Sequence, residues 1–218
     1  MDHGLLTYLQ SFLTDRRKLL FKKVLEQRTA HLVVAVEDVY QLHNTSAVIR
    51  NCDAFGIQHL HVIEAVNSKR IDREIAMGAQ KWVDIHRHSD ANSCINHLRD
   101  QGYRIIATSP HHKAAPLEAF DVREKAAIFF GRETEGLSET LLQEADDFIY
   151  IPMDGFTESL NISVSAAIIL QTLSRKLKQS NTPWQLSPQQ HFDIEIAWTR
   201  KMIKDVDRIT ERYLEGLA

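Results

Sequence analysis

Cysteine, proline and glycine are scarce in this chain of 218 residues, with two, five and eight of each. Cys52 and Cys94 show no framework spacing, which excludes a disulfide-stapled scaffold and fits the reducing cytoplasm. No apolar run approaches the roughly 20 residues a membrane helix needs, so no membrane association is expected. Residues 1–8 lack a basic stretch ahead of an apolar core, which argues against a secretory signal. No Gly-x-Ser-x-Gly elbow is present, which excludes an α/β-hydrolase nucleophile. There is also no excess of positive charge. The formal net charge is -3, so global charge gives no support for nucleic-acid binding. Histidine is plentiful, at eleven. His59 and His61, and His86 and His88, lie two residues apart and could share a strand face. With no cysteine pair or His-x-x-x-His beside them, no metal is expected.

Hydrophobic content of 44% and charged content of 25% are ordinary for a globular protein. The charge is unevenly spread. Arg16, Arg17, Lys18, Lys22, Lys23 and Arg28 crowd the N-terminal segment, and Arg175, Lys176 and Lys178 close a later one. Such clusters either form a solvated helix face or engage phosphates. Trp82 and Trp184 either pack or stack on bases.

Apolar runs at residues 32–36, 60–63, 104–108, 126–130 and 148–151 predict buried strands. Helical spacing predicts helices over 5–27, 45–55, 92–100, 139–145, 160–177 and 192–214. Gly56 is placed to end the second of these, and Ser138 to cap the fourth. Strands alternating with helices, and apolar throughout, predict an α/β fold with a parallel sheet buried on both faces. Residues 179–191, polar and holding Pro183 and Pro188, read as a linker. The resulting division is a helical extension at 1–30, a main domain at 31–178, and a linker with a final helix at 179–218.

Three stretches carry residues unsuited to a core, each at a strand end, where open α/β sheets bind ligands. The first runs from Asn44 to Arg50. Asn44 suits a helix N-cap, and Arg50 follows Ala47-Val48-Ile49, where a buried charge would need a partner. Asp53, Glu133 or a substrate phosphate could supply one. The second is Phe130-Gly131-Arg132-Glu133-Thr134-Glu135-Gly136-Leu137. Its glycines permit a tight turn or close approach to a ligand, but without a following Lys-Ser/Thr it is no phosphate loop. The third joins Ile151-Pro152-Met153 to Ser159-Leu160-Asn161, which open a helix rich in small residues. The N–H groups at that helix start could receive a carboxylate.

Together, in this order and spacing, the three stretches resemble the SpoU (TrmH) branch of the SPOUT RNA ribose 2′-O-methyltransferases. The resemblance covers residues 32–178. Residues 1–30 and Gln80-Lys81-Trp82-Val83 look like the members that act on guanosine 18 of tRNA. The resemblance implies a parallel-sheet domain with a C-terminal trefoil knot, a homodimer, and S-adenosylmethionine held by Thr108, Gly131, Ile151 and Leu160. It implies functional roles for Asn44, Arg50, Glu133, Ser159 and Asn161, with the arginine as proposed base. RNA contacts are expected from Arg16, Arg17, Arg28 and Arg175. A ribosomal RNA 2′-O-methyltransferase, or a relative that binds cofactor and RNA without catalysis, remains the alternative.

Overall fold

The computed structural model describes residues 1–39, 42–64, 76–109, 114–132 and 135–216. They divide into two compact units, one of residues 29–184 and one of residues 1–28 with 185–218. In chain order the elements begin with α1 (His3–Gln10), α2 (Asp15–Leu25), β1 (Leu32–Glu37), α3 (Leu42–Phe55), β2 (His59–Ile63) and β3 (Asp84–His88). There follow α4 (Ala91–Asp100), β4 (Arg104–Thr108), β5 (Ala115–Pro116), β6 (Ala126–Phe130), α5 (Glu139–Glu144) and β7 (Asp147–Tyr150). The last three are α6 (Ile162–Gln179), α7 (Pro188–Met202) and α8 (Val206–Glu215).

All seven strands join one sheet in the order β3-β2-β1-β6-β4-β7-β5, and every ladder is parallel. The predicted α/β class is therefore observed. Strands β1 and β6 lie mid-sheet, and each of their residues is buried. Alternate residues serve opposite faces. Leu32, Val34 and Val36 pack with Val48, Ile49 and Cys52 of α3 and with Ile169, Leu170 and Leu173 of α6. Val33 and Ala35 pack with Cys94, Ile95 and Leu98 of α4 and Leu141 of α5. Helices on both faces explain why these strands are apolar without alternation.

Two predicted boundaries hold for the expected reasons. Gly56 has φ +79° and ends α3, with the Ile57 N–H returning to the Cys52 carbonyl at 2.9 Å. The Ser138 hydroxyl accepts from the Leu141 N–H at 3.4 Å and caps α5. Other predictions need correction. Residues 5–27 form two helices, because Thr14 starts a new one by accepting from the Arg17 N–H. Residues 192–214 likewise belong to two helices, parted at Asp205, whose φ is +54°. Strand β3 is polar and was not predicted; as an edge strand it pairs on one side only, with β2. No described helix is long and apolar enough to cross a membrane.

In the helical unit, α1 packs on α7 and α8, and α2 on α7. Phe21 meets Trp198 edge to face with ring centroids 5.5 Å apart, and Tyr8 lies 5.1 Å from Tyr213. A capping box between Ser187 and Gln190, with Pro188 in the first turn, starts α7.

Candidate active site

A pocket opens at the C-terminal ends of β4 and β7, the ligand side of a parallel sheet. It is an open cleft of about 500 Å³, a volume that includes the solvent at its mouth. Thr108 and Ser109 line it from the end of β4, and Ile151 and Met153 from beyond β7. Glu158, Ser159 and Leu160 approach from the following segment, and Ser165 and Ile169 from α6. The Thr108 hydroxyl donates to the Phe129 carbonyl at 2.8 Å, tying β4 to β6. The Ser109 N–H donates to the Ile149 carbonyl at 3.0 Å, tying β4 to β7. Among the described residues, the backbone from 153 to 160 makes no hydrogen bond, and the exposed Glu158 carboxylate has no partner. Sequence reasoning missed Glu158; its adjacency to Ser159-Leu160 was the available signal.

Helices α3 and α6 meet beside this pocket through amide side chains. Asn161 caps α6, its Oδ1 accepting from the Ser163 N–H at 2.8 Å. Its Nδ2 donates to Asn44 Oδ1 at 3.3 Å. Seven residues on, on the same face of α3, Asn51 donates to the Ser163 carbonyl at 2.7 Å. The expectation that Asn44 is an N-cap is thus corrected. Helix α3 already includes Leu42, and Asn44 is a 2% exposed side chain that meets Asn161. Arg50, next to Asn51, is also unlike its expectation. It is exposed rather than buried, and it has no hydrogen bond or ion pair among the described residues.

Gly131 ends β6 where the chain doubles back. A Cβ there would fall 2.2 Å from the Gly136 backbone carbon, so no larger residue fits without a backbone shift. Arg132 and Gly136 exchange backbone hydrogen bonds of 2.9 and 3.1 Å across this turn. The Arg132 guanidinium is held by Glu135 and by the buried Asp38, the latter at 2.9 Å. Glu135 first and Asp38 second raise its pKa, keeping it firmly charged. Glu133 lies outside the described residues.

Four expected site residues therefore meet in the pocket: Thr108, Ile151, Ser159 and Leu160. Asn161 and Asn44 meet next to it, while Gly131 and Arg50 do not line it. Among the expected RNA contacts, Arg16 and Arg175 are exposed and Arg17 is half-buried. Arg28 is a correction. It is 1% exposed, with its guanidinium 5.3 Å from the Trp198 ring centre, and a guanidinium so enclosed does not reach a phosphate. Trp184 packs against the core, with Lys178 over its ring.

The model of the SpoU rRNA Methylase family matches residues 31–171. A tRNA (guanosine(18)-2'-O)-methyltransferase of Borreliella burgdorferi is 36% identical over 90% of this chain and 90% of its own length. The Thermus thermophilus protein of that name is 34% identical over 86% of this chain and 98% of its own. Among solved structures, the A. aeolicus TrmH/SpoU tRNA modifying enzyme superposes with a TM-score of 0.79 at 29% identity. That likeness covers 88% of this chain and 98% of the other. The match to the family model and these relatives, joined to the three motifs at the strand ends, show that the chain belongs to the SpoU methylase family.

Proposed function

We propose that this protein transfers a methyl group from S-adenosylmethionine to the ribose 2′-hydroxyl of guanosine 18 in tRNA. The observation that carries this reading is its likeness, over 86–90% of the chain, to tRNA (guanosine(18)-2'-O)-methyltransferases. The pocket's chemistry fits the cofactor. Ile151, Met153 and Ile169 offer apolar surface, Glu158 offers a carboxylate for a cationic group, and the open backbone near Leu160 offers polar contacts. Thr108 and Leu160 would hold the cofactor beside Ile151, with Gly131 keeping the neighbouring turn tight. When bound, S-adenosylmethionine supplies a methyl group already activated by its sulfonium, so no Lewis acid is assigned to the step.

What remains for the protein is alignment and acceptance of a proton. Arginine stays protonated to above about pH 12, which makes it a poor base. Arg50 instead grips a phosphate beside the target ribose and stabilises the oxygen as its proton leaves to that phosphate or to water. Its exposure and lack of a partner among the described residues support this role. Asn161 orients the cofactor segment, Asn44 fixes Asn161, Ser159 faces the ribose, and Glu133 orients Arg50 or its loop.

The α/β domain, 31–178, carries catalysis, flanked by helical extensions at 1–30 and 179–218. Arg16, Arg17 and Arg175 contact the tRNA backbone. A homodimer completes the site, as in the SpoU resemblance. Exposed Val164 and Ile168 in the first turns of α6, with Leu160 just before it, give it apolar surface to bury. A trefoil knot in the C-terminal part of the domain and a cytoplasmic location complete this reading.

Transfer of labelled methyl to an unmodified tRNA transcript, followed by ribose mapping, tests it. A single 2′-O-methyl at guanosine 18 is expected. Labelling of ribosomal RNA alone would overturn the substrate. Cofactor binding without transfer to any RNA would overturn catalysis.

A further inference from the structure

We infer that the sheet edge formed by β2, β3 and α4 is a binding site for Zn²⁺, with His61, His88 and Cys94 as its ligands. The parallel register sets His61 opposite His86 and Ile63 opposite His88, so the two strands present their imidazoles side by side. Helix α4 covers this face and brings Cys94 and, one turn later, His97 onto it. Five of the eleven histidines gather here: His59, His61, His86, His88 and His97. Donor atoms of His61, His88 and Cys94 all lie within 4.8 Å of one another.

The geometry is close to that of a tetrahedral ion. His61 Nδ1 and His88 Nε2 are 3.0 Å apart. Two nitrogens on tetrahedral zinc are roughly 3.3 Å apart, and a nitrogen and a thiolate sulfur roughly 3.6 Å. Closing the triad takes side-chain movements of about an ångström and replaces the His61–His88 hydrogen bond with metal bonds. His97, exposed and bonded through Nε2 to the Gln101 amide, lies near the triad and would turn to take the fourth position. Its ring centre is 5.6 Å from that of His61 and 5.5 Å from that of His88. Imidazoles with one thiolate are borderline-soft donors, which suit zinc over calcium or magnesium.

Burial shapes the site further. His61 is 2% exposed and Cys94 fully buried, so an ion there is shielded from water. Coordination by Cys94 as a thiolate releases its proton, which makes Zn²⁺ affinity fall as pH falls. None of the three ligands lines the pocket described above, so the site is separate from methyl transfer. Its effect is to clip α4 onto the sheet edge.

The test uses the full chain, stripped with chelator and titrated with Zn²⁺, with Co²⁺ as a spectroscopic probe. One Zn²⁺ per chain is expected, with a rise in thermal midpoint, and Co²⁺ should show a thiolate charge-transfer band. Cys94→Ala should abolish that band, and both Cys94→Ala and His88→Gln should weaken Zn²⁺ binding by at least tenfold. His88 is the more exposed of the two, so its variant keeps the test informative if Cys94→Ala fails to fold. Absence of saturable Zn²⁺ binding would overturn the site and leave a packing cluster of histidines. So would an equal Zn²⁺ response in wild type and both variants.

Discussion

Arg50 and Arg28 show how little the type of a residue says about its job. Both could meet RNA or its phosphates, and their neighbours in sequence point the wrong way: Arg50 follows an apolar run, and Arg28 belongs to a basic cluster. Arg28 is enclosed beside Trp198, whereas Arg50 is exposed. Burial depends on residues distant in the chain, so the sequence could not rank the two. Arg50→Ala should therefore lower methyl transfer about 10²-fold or more, the scale of losing one charge-stabilising donor. Its thermal midpoint should stay within a degree or so of wild type, since no described contact is lost; a large fall would contradict the assigned role. Gly131→Ala should behave in the opposite way. Its Cβ would collide with the Gly136 backbone at 2.2 Å. The protein should lose roughly 1–3 kcal/mol, as overpacked sites do, with cofactor affinity falling alongside. Denaturant unfolding and cofactor titration would check both. Here the sequence was legible: a glycine after an apolar strand marked a turn, though only the structure shows what presses against it.

At the scale of elements, the central strands were legible because β1 and β6 are apolar from end to end. Edge strand β3 was not, since Asp84-Ile85-His86-Arg87-His88 has neither an apolar run nor a buried exterior face. The histidines on it form no linear metal motif. Cys94 and His97, which lie beside them, come from a different element, and no local spacing reveals that proximity. The clamp between α3 and α6 was half legible. Asn44 and Asn161 stood out, but Asn51 did not, because its partner is a backbone carbonyl, that of Ser163. Asn51→Ala should destabilise the protein by about 1 kcal/mol, the usual net worth of such a hydrogen bond. Because α6 starts at the pocket, KM for the cofactor should rise more than kcat falls. An unchanged KM would show that the clamp does not position the cofactor segment.

At the scale of the whole molecule, the histidine edge gives stability a dependence on pH. Burial first, then the neighbouring imidazoles His86 and His88, carries His61 from 6.5 down to about 2. Burial, opposed by Asp84 and aided by His86, carries His59 to about 4. The unfolded chain takes up these protons near pH 6.5 while the folded chain resists them. The metal-free protein should keep its full stability above pH 6.5. Below it, stability falls by up to about 1.4 kcal/mol per pH unit for each histidine. Urea midpoints between pH 7 and pH 5 should fall for wild type and fall less for His61→Gln. Division into units carries a second prediction. Removal of residues 185–218 takes α7 and α8 away from α1 and α2, so the N-terminal helices should become sensitive to protease as well. Affinity for tRNA should fall, with a shallower dependence on salt if Arg16 and Arg17 contact phosphates.

That same division dictates an order of events on the ribosome. Residues 1–28 emerge well before their partners in 185–218. At translation rates of about 5–20 residues per second, α1 and α2 wait on the order of ten seconds with Leu9 and Phe21 unsheltered. The parallel sheet between them has that interval to assemble. The first helices thus stay without their packing partners until residues 185–218 have been made.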